Sequence, residues 1–251
     1  MGTTEALLDG WEDTTPSADT LTLAAVRAMA DRATLWASAA GGRVRTEAGL
    51  VLADACSPCP FLNVATATRP LDADTAAAVA EFFGGAFILV SPRPTPDLRP
   101  SGLTLMGHPP FMVRPVGGVV PPCPPGVTVT ELHDAAELDA FDRTLAAGYP
   151  VPASPAPPSL LGGATRFWLA RADGEPAATA VSHTAHGVTD VEAVATLPEH
   201  RGRGIGAAVT WAATLADPAQ PAVLVASDAG VGVYRAMGYL PIARWTIWFR
   251  P

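Results

Sequence analysis

The chain has 251 residues, 49% of them hydrophobic, with a mean hydropathy of +0.24, which is ample for the core of one large or two small domains. All 16 basic residues are arginine, against 24 acidic ones, and the net charge of −8 with a pI near 5.0 leaves no basic track for nucleic acid. No apolar run approaches the ~18 residues of a membrane span, and three cysteines are too few and odd in number for a disulfide framework, so a cytoplasmic protein with reduced thiols and no membrane partner is expected.

Residues 1–16 are polar and mixed and are expected to be disordered. Residues 17–20 supply a cap cluster before an Ala-rich helix over 21–39, which Gly41 and Gly42 stop. Short strands follow at 43–46, 50–54 and 61–66. Asp72 caps a second helix that runs to Phe83 and ends at Gly84-Gly85, and 86–90 is a compact apolar strand. Beyond a Pro-rich loop, 103–106 and 111–114 read as a strand pair. A linker spans 116–126, with Gly117-Gly118, Pro121-Pro122 and Pro124-Pro125, and divides the chain into domains at 17–115 and 127–251.

Past the linker the pattern restarts with a strand at 127–130, a helix over 134–147 and a second Pro-rich loop at 150–158, expected to border a pocket. Strands at 165–170 and 177–183 meet at Asp173-Gly174; a strand at 188–196 is ended by Pro198. A helix over 205–215, a strand at 222–226 and closing strands at 239–242 and 244–249 complete the chain. Each half thus runs helix, strands, helix, strand, strand pair, an internal duplication of one α/β unit with little residue identity.

The glycine loop between strand 188–196 and its helix stands out. Arg201, Gly202, Arg203, Gly204, Ile205 and Gly206 place free backbone N–H groups at a helix N-terminus, beside roughly half a positive charge from the aligned peptide dipoles. That is an anion site, best suited to phosphate, and its glycines let the backbone approach the ligand. The absence of lysine rules out a Walker A loop, and glycines at 202, 204 and 206 have the wrong spacing for a dinucleotide fingerprint. The first half has Thr68-Arg69-Pro70-Leu71-Asp72 at this point, without glycine and with an aspartate where an anion would sit, so it is expected to act as a structural partner.

Arg201 to Gly206 resembles the Arg/Gln-x-x-Gly-x-Gly/Ala signature of the GNAT acyltransferases, and Tyr234, three residues, then Gly238 and Tyr239 resemble that family's closing helix motif. The resemblance implies a tandem member with a degenerate N-terminal half: two GNAT-like α/β domains, each a mixed, mostly antiparallel sheet flanked by helices. It implies that acetyl-CoA is bound by the 201–206 loop, by Val194, Ala195 and Thr196 on a strand that splays from 222–226, and by Ser227 beyond that strand. An N–H near Ala195 would face the thioester oxygen.

By the same resemblance Tyr234 protonates the departing thiolate. A phenol of pKa ~10 gives its proton to a thiol of ~8.5 at a cost of roughly 2 kcal/mol. Alternation places Asp190, Glu192, Val194 and Thr196 on one strand face; Glu192 is the expected base, with pairing to Arg166 as its structural alternative, and Asp190 is expected to be solvated. Tyr239, Trp245 and Trp248 are expected in the core, His183, His186 and His200 at the surface. Cys56 and Cys59 have redox spacing but lie between strands, and no metal is expected. The implied activity is acetyl transfer to a primary amine of a small molecule by a monomer or homodimer; a non-catalytic CoA-binding sensor or assembly module is the alternative.

Overall fold

The computed structural model describes residues 18–47 and 49–251; the expected disorder of 1–16 and a cap at Ser17 lie outside the described residues. The first half supplies α1 (Ala18–Ala39), β1 (Arg43–Glu47), β2 (Leu50–Asp54), β3 (Asn63–Ala67), α2 (Ala73–Phe82), β4 (Phe87–Ser91), β5 (Thr104–Gly107) and β6 (Pro110–Arg114). The second supplies β7 (Val127–Glu131), α3 (Ala135–Gly148), β8 (Thr165–Ala172), β9 (Glu175–Ala185), β10 (Val188–Thr196), α4 (Ile205–Thr214), β11 (Ala222–Val225), α5 (Val231–Ala236), β12 (Leu240–Arg244) and β13 (Thr246–Arg250).

Two sheets result, ordered β1-β2-β3-β4-β13-β5 and β7-β8-β9-β10-β11-β6-β12. Each contains one parallel pair, β3 with β4 and β10 with β11, among antiparallel neighbours. The orders coincide when β1 to β4 are laid over β8 to β11, and one strand in each has come from the opposite half. β6 lies between β11 and β12, while β13 lies between β4 and β5. The expected pairing of 103–106 with 111–114 is therefore corrected: β5 and β6 sit in different sheets. The chain passes from β12 to β13, and so between sheets, at Trp245, which is buried and stacked on Phe111 with ring centroids 4.7 Å apart.

The alternation of side chains builds three cores. Leu52, Phe87, Leu89 and Trp248 face α2 on the outside of the first sheet. Met112, Val191, Val209, Leu224 and Tyr239 pack on the α4 side of the second. Between the sheets, Val26, Met29 and Trp36 of α1 meet Val64 and Ile88 of the first sheet and Phe167, Val181 and Val188 of the second. Central strands are thus buried on both faces, which is why β4 and β11 read as unbroken apolar runs. α1, an element of the first half, covers β9 and β10 of the second.

Candidate active site

The N-terminus of α4 is open. Gly204 is its N-cap, at φ 78°, and offers no side chain to the first-turn amides. Gly202, at φ 72°, takes the same left-handed conformation in the approach to it. A Cβ on Gly206 would lie 2.7 Å from the Thr196 hydroxyl, so the helix start is pressed directly against the end of β10. Arg201 does not reach outward: its Nε donates to the Thr196 carbonyl at 3.1 Å and its Nη2 to the Gly148 carbonyl at 2.9 Å, tying β10 to the end of α3. Arg203 is exposed, 3.1 Å from Nδ1 of His200, and Ile205 is buried. The equivalent helix in the first half is closed, because the Asp72 carboxylate accepts the Thr75 N–H at 2.7 Å.

Next to this helix the second sheet comes apart. β10 and β11 pair at Thr189–Ala222 and Asp190–Val223, after which β10 continues to Thr196 along β9 alone. A bulge between Glu192 and Ala195, with Ala193 at φ 51°, inserts one extra residue against β9. The strict alternation expected over 190–196 is therefore corrected: it ends at Glu192, and Val194, Ala195 and Thr196 are re-aimed. The Thr179 hydroxyl donates to the Ala193 carbonyl at 3.0 Å and fixes the bulge. In the first half β3 pairs with β2 over its whole length and with β4 at three positions, Val64–Ile88, Ala65–Leu89 and Thr66–Val90. Ser227 is exposed just past β11, and its carbonyl receives the Gly230 and Val231 N–H groups at the start of α5.

Tyr234 projects from α5. Burial, then the nearby Glu192 carboxylate and Tyr149, push its phenol up to about 12. Relative to an ordinary thiol that is about 3.5 pH units, roughly 5 kcal/mol, a larger gap than the unperturbed values imply. A thiol placed in the same pocket would be raised by the same burial, which narrows the gap. Tyr149, just after α3, is likewise pushed up by burial, then Glu192, then Cys59, and its ring meets Phe61 of the first half edge-on at 6.2 Å. The Pro-rich loop joins the first half there too, through a 2.8 Å bond between the Ser57 and Ser154 hydroxyls. Cys56 and Cys59 are both free thiols, the first exposed and the second buried.

Glu192 does pair with an arginine, but not Arg166, which donates to the Ala216 carbonyl instead. Its partner is Arg32 of α1, whose Nη2 lies 3.4 Å from Glu192 Oε1 while its Nε donates to Asp190 Oδ2 at 3.2 Å. Asp190 is 3% exposed, which corrects the expectation that it is solvated. Burial raises both carboxyls above their ordinary range, and Arg32 opposes that rise. His183 also differs from expectation. It is fully buried opposite Asp190, its Nδ1 2.9 Å from the Thr165 hydroxyl and its Nε2 3.1 Å from the Asp31 carboxylate. Burial, chiefly, lowers its pKa to about 4, so the ring is neutral and donates from Nε2. Tyr239 is core, as expected, its hydroxyl 2.7 Å from that of Thr214. Arg32, Tyr149 and Asp31 carried no local signal in the sequence; only the tertiary fold brings them here.

Residues 132–239 match the family model described as acetyltransferase (GNAT) family. The chain carries a GNAT acetyltransferase domain. It is similar in structure to a GCN5-related N-acetyltransferase from Kribbella flavida, with 27% identity and a TM-score of 0.67 over 94% of this chain and 97% of that one. An acetyltransferase of the GNAT family from Novosphingobium aromaticivorans aligns at 21% identity and a TM-score of 0.57, over 82% of this chain and 89% of its own. A GCN5-related N-acetyltransferase-like protein from Streptococcus suis does so at 13% and 0.57, over 90% and 100%. These last two show the fold alone. No curated protein matches the chain significantly. Both sheets, flanked by their helices, are GNAT-like units. Among the described residues no helix is long and apolar enough to cross a membrane.

Proposed function

We propose that this GNAT protein is a cytoplasmic N-acetyltransferase that moves an acetyl group from acetyl-CoA to the primary amine of a small molecule, at a site in its second half. The observation that carries the reading is the conjunction of an uncapped helix N-terminus at Gly204 with the split between β10 and β11 beside it. The open amides of α4 suit a pyrophosphate, and the unpaired edge of β10 past its bulge suits an extended amide-bearing arm and a thioester carbonyl. The bound co-substrate supplies an activated acetyl group. The first half, with Asp72 on its helix and no bulge in β3, is a structural partner that holds no cofactor.

Glu192 takes a proton from the incoming ammonium, so that a neutral nitrogen attacks the thioester carbon. Backbone N–H near Ala195 receives the negative charge that develops on the carbonyl oxygen. As the C–S bond breaks, Tyr234 gives its phenolic proton to the sulfur, and it regains one from the nitrogen as the amide forms. Tyr149 and Phe61 border the acceptor side, where the two halves meet.

Calorimetric titration with acetyl-CoA, on the wild-type protein and on Gly204→Glu, tests the site. Saturable binding that the substitution abolishes is expected, followed by thiol release in a screen of primary amines. Absence of wild-type binding overturns the reading; binding without turnover against any amine replaces it with a CoA-binding sensor or assembly module.

A further inference from the structure

The carboxylates of Asp190 and Glu192 lie two residues apart on the face of β10 that α1 covers, and one guanidinium touches both. The charged and titratable groups around them are few. α1 presents Arg32, and Asp31 turned to His183; β9 presents His183 opposite Asp190; the end of α3 presents Tyr149, α5 presents Tyr234, and Tyr239, just before β12, lies near Asp190. His183 is neutral and all three phenols are protonated, so among the described residues Arg32 is the single positive charge facing the two carboxyls, of which burial and the neighbouring Glu192 push Asp190 up to about 7. A buried ionic cluster of this kind adds little to stability compared with an apolar core of the same volume. Its arrangement does favour ionised Glu192, the member of the trio with the more accessible side chain, at 28% exposure against 4% for Asp190.

We propose that Arg32 is a positioning residue for the acyl transfer inferred above: carried on a helix of the first half, its guanidinium bridges Asp190 and Glu192 and holds the Glu192 carboxylate ready to take the acceptor's proton. The inference rests on the reading of Glu192 as the base. It gives the first half a role in the chemistry of the second without a cofactor of its own. With Arg32 removed, both carboxyls lose the charge that opposes the rise from burial, so Glu192 keeps its proton to higher pH and its accepting form is depleted at neutral pH. With Asp190 neutralised instead, Arg32 serves Glu192 alone and holds it ionised to lower pH.

The test follows the Glu192 carboxyl directly, by carbon-13 NMR of protein labelled at the glutamate side-chain carboxyl, with the resonance assigned by its loss in Glu192→Gln. Neither acetyl-CoA nor an acceptor is needed. Relative to wild type, the Glu192 midpoint is expected to rise by about one pH unit or more in Arg32→Met and to fall in Asp190→Asn, an isosteric change that keeps the fold. The acid limb of turnover, read as thiol release with the best amine of the screen, is expected to move with it, with about a tenfold loss at neutral pH in Arg32→Met. Midpoints unmoved in both variants, even with a lower melting temperature in Arg32→Met, overturn the bridge. Full turnover by Glu192→Gln overturns the base assignment instead, whatever the titrations show.

Discussion

Cutting the chain at its Pro/Gly-rich linker should not release two working domains. A fragment of residues 127–251 loses β6, whose Phe111, Met112 and Val113 are 0%, 0% and 4% exposed between β11 and β12. At ~1.5–3 kcal/mol for each fully buried side chain of this size, those three alone contribute roughly 5–9 kcal/mol. That is comparable to the whole stability of a typical domain, about 5–15 kcal/mol. The fragment also loses the ladder on both sides of β6, exposes two sheet edges, and leaves Asp190 and Glu192 without Arg32. The first half alone lacks β13, and with it Trp248, 4% exposed. Each fragment expressed separately should be unfolded or aggregated by circular dichroism and proton NMR dispersion. Co-expressed, the pieces 1–126 and 127–251 should form one complex with the unfolding profile of the intact protein. A 127–251 fragment that unfolds cooperatively at the wild-type temperature would refute the argument, because it would mean that β6 is dispensable to its sheet.

Tyr234→Phe should lower turnover by about 10²–10⁴-fold while leaving calorimetric acetyl-CoA affinity intact, and a phenol at about 12 predicts no basic limb from this residue below about pH 11 in wild-type rate profiles. His183 titrates near 4 when folded and near 6.5 when unfolded, so its contribution is complete above pH 6.5 and is lost as pH falls toward 4. The loss amounts to about 3 kcal/mol, and denaturant midpoints measured against pH should show it in wild type and not in His183→Gln. Trp245→Ala should cost about 3–5 kcal/mol in chemical denaturation. Trp245→Phe should cost less, since the indole N–H is buried with no hydrogen-bond partner among the described residues and disappears with the substitution.

The sequence by itself determined the local elements and the open glycine start of α4. Alternating and helical patterns, the Asp72 cap and the glycines around 201–206 act over a few residues, and such signals are written contiguously in the chain. Tyr239 was legible as core because an aromatic after the closing helix motif has nowhere else to pack. The tertiary structure alone decided where strands pair and which groups meet. Nothing local in 110–114 or 246–250 shows that these strands cross to the opposite sheet, because an apolar strand buried on both faces fits either. Asp190 and His183 looked like surface residues near a turn, since only the docking of α1 over β9 and β10 removes them from water. The bulge at Ala193, which broke the expected alternation, comes from register against β9 and not from any glycine in β10. Arg32 was one arginine in an Ala-rich helix. Its charge acquires a partner only because folding carries it across some 158 positions of sequence to Asp190.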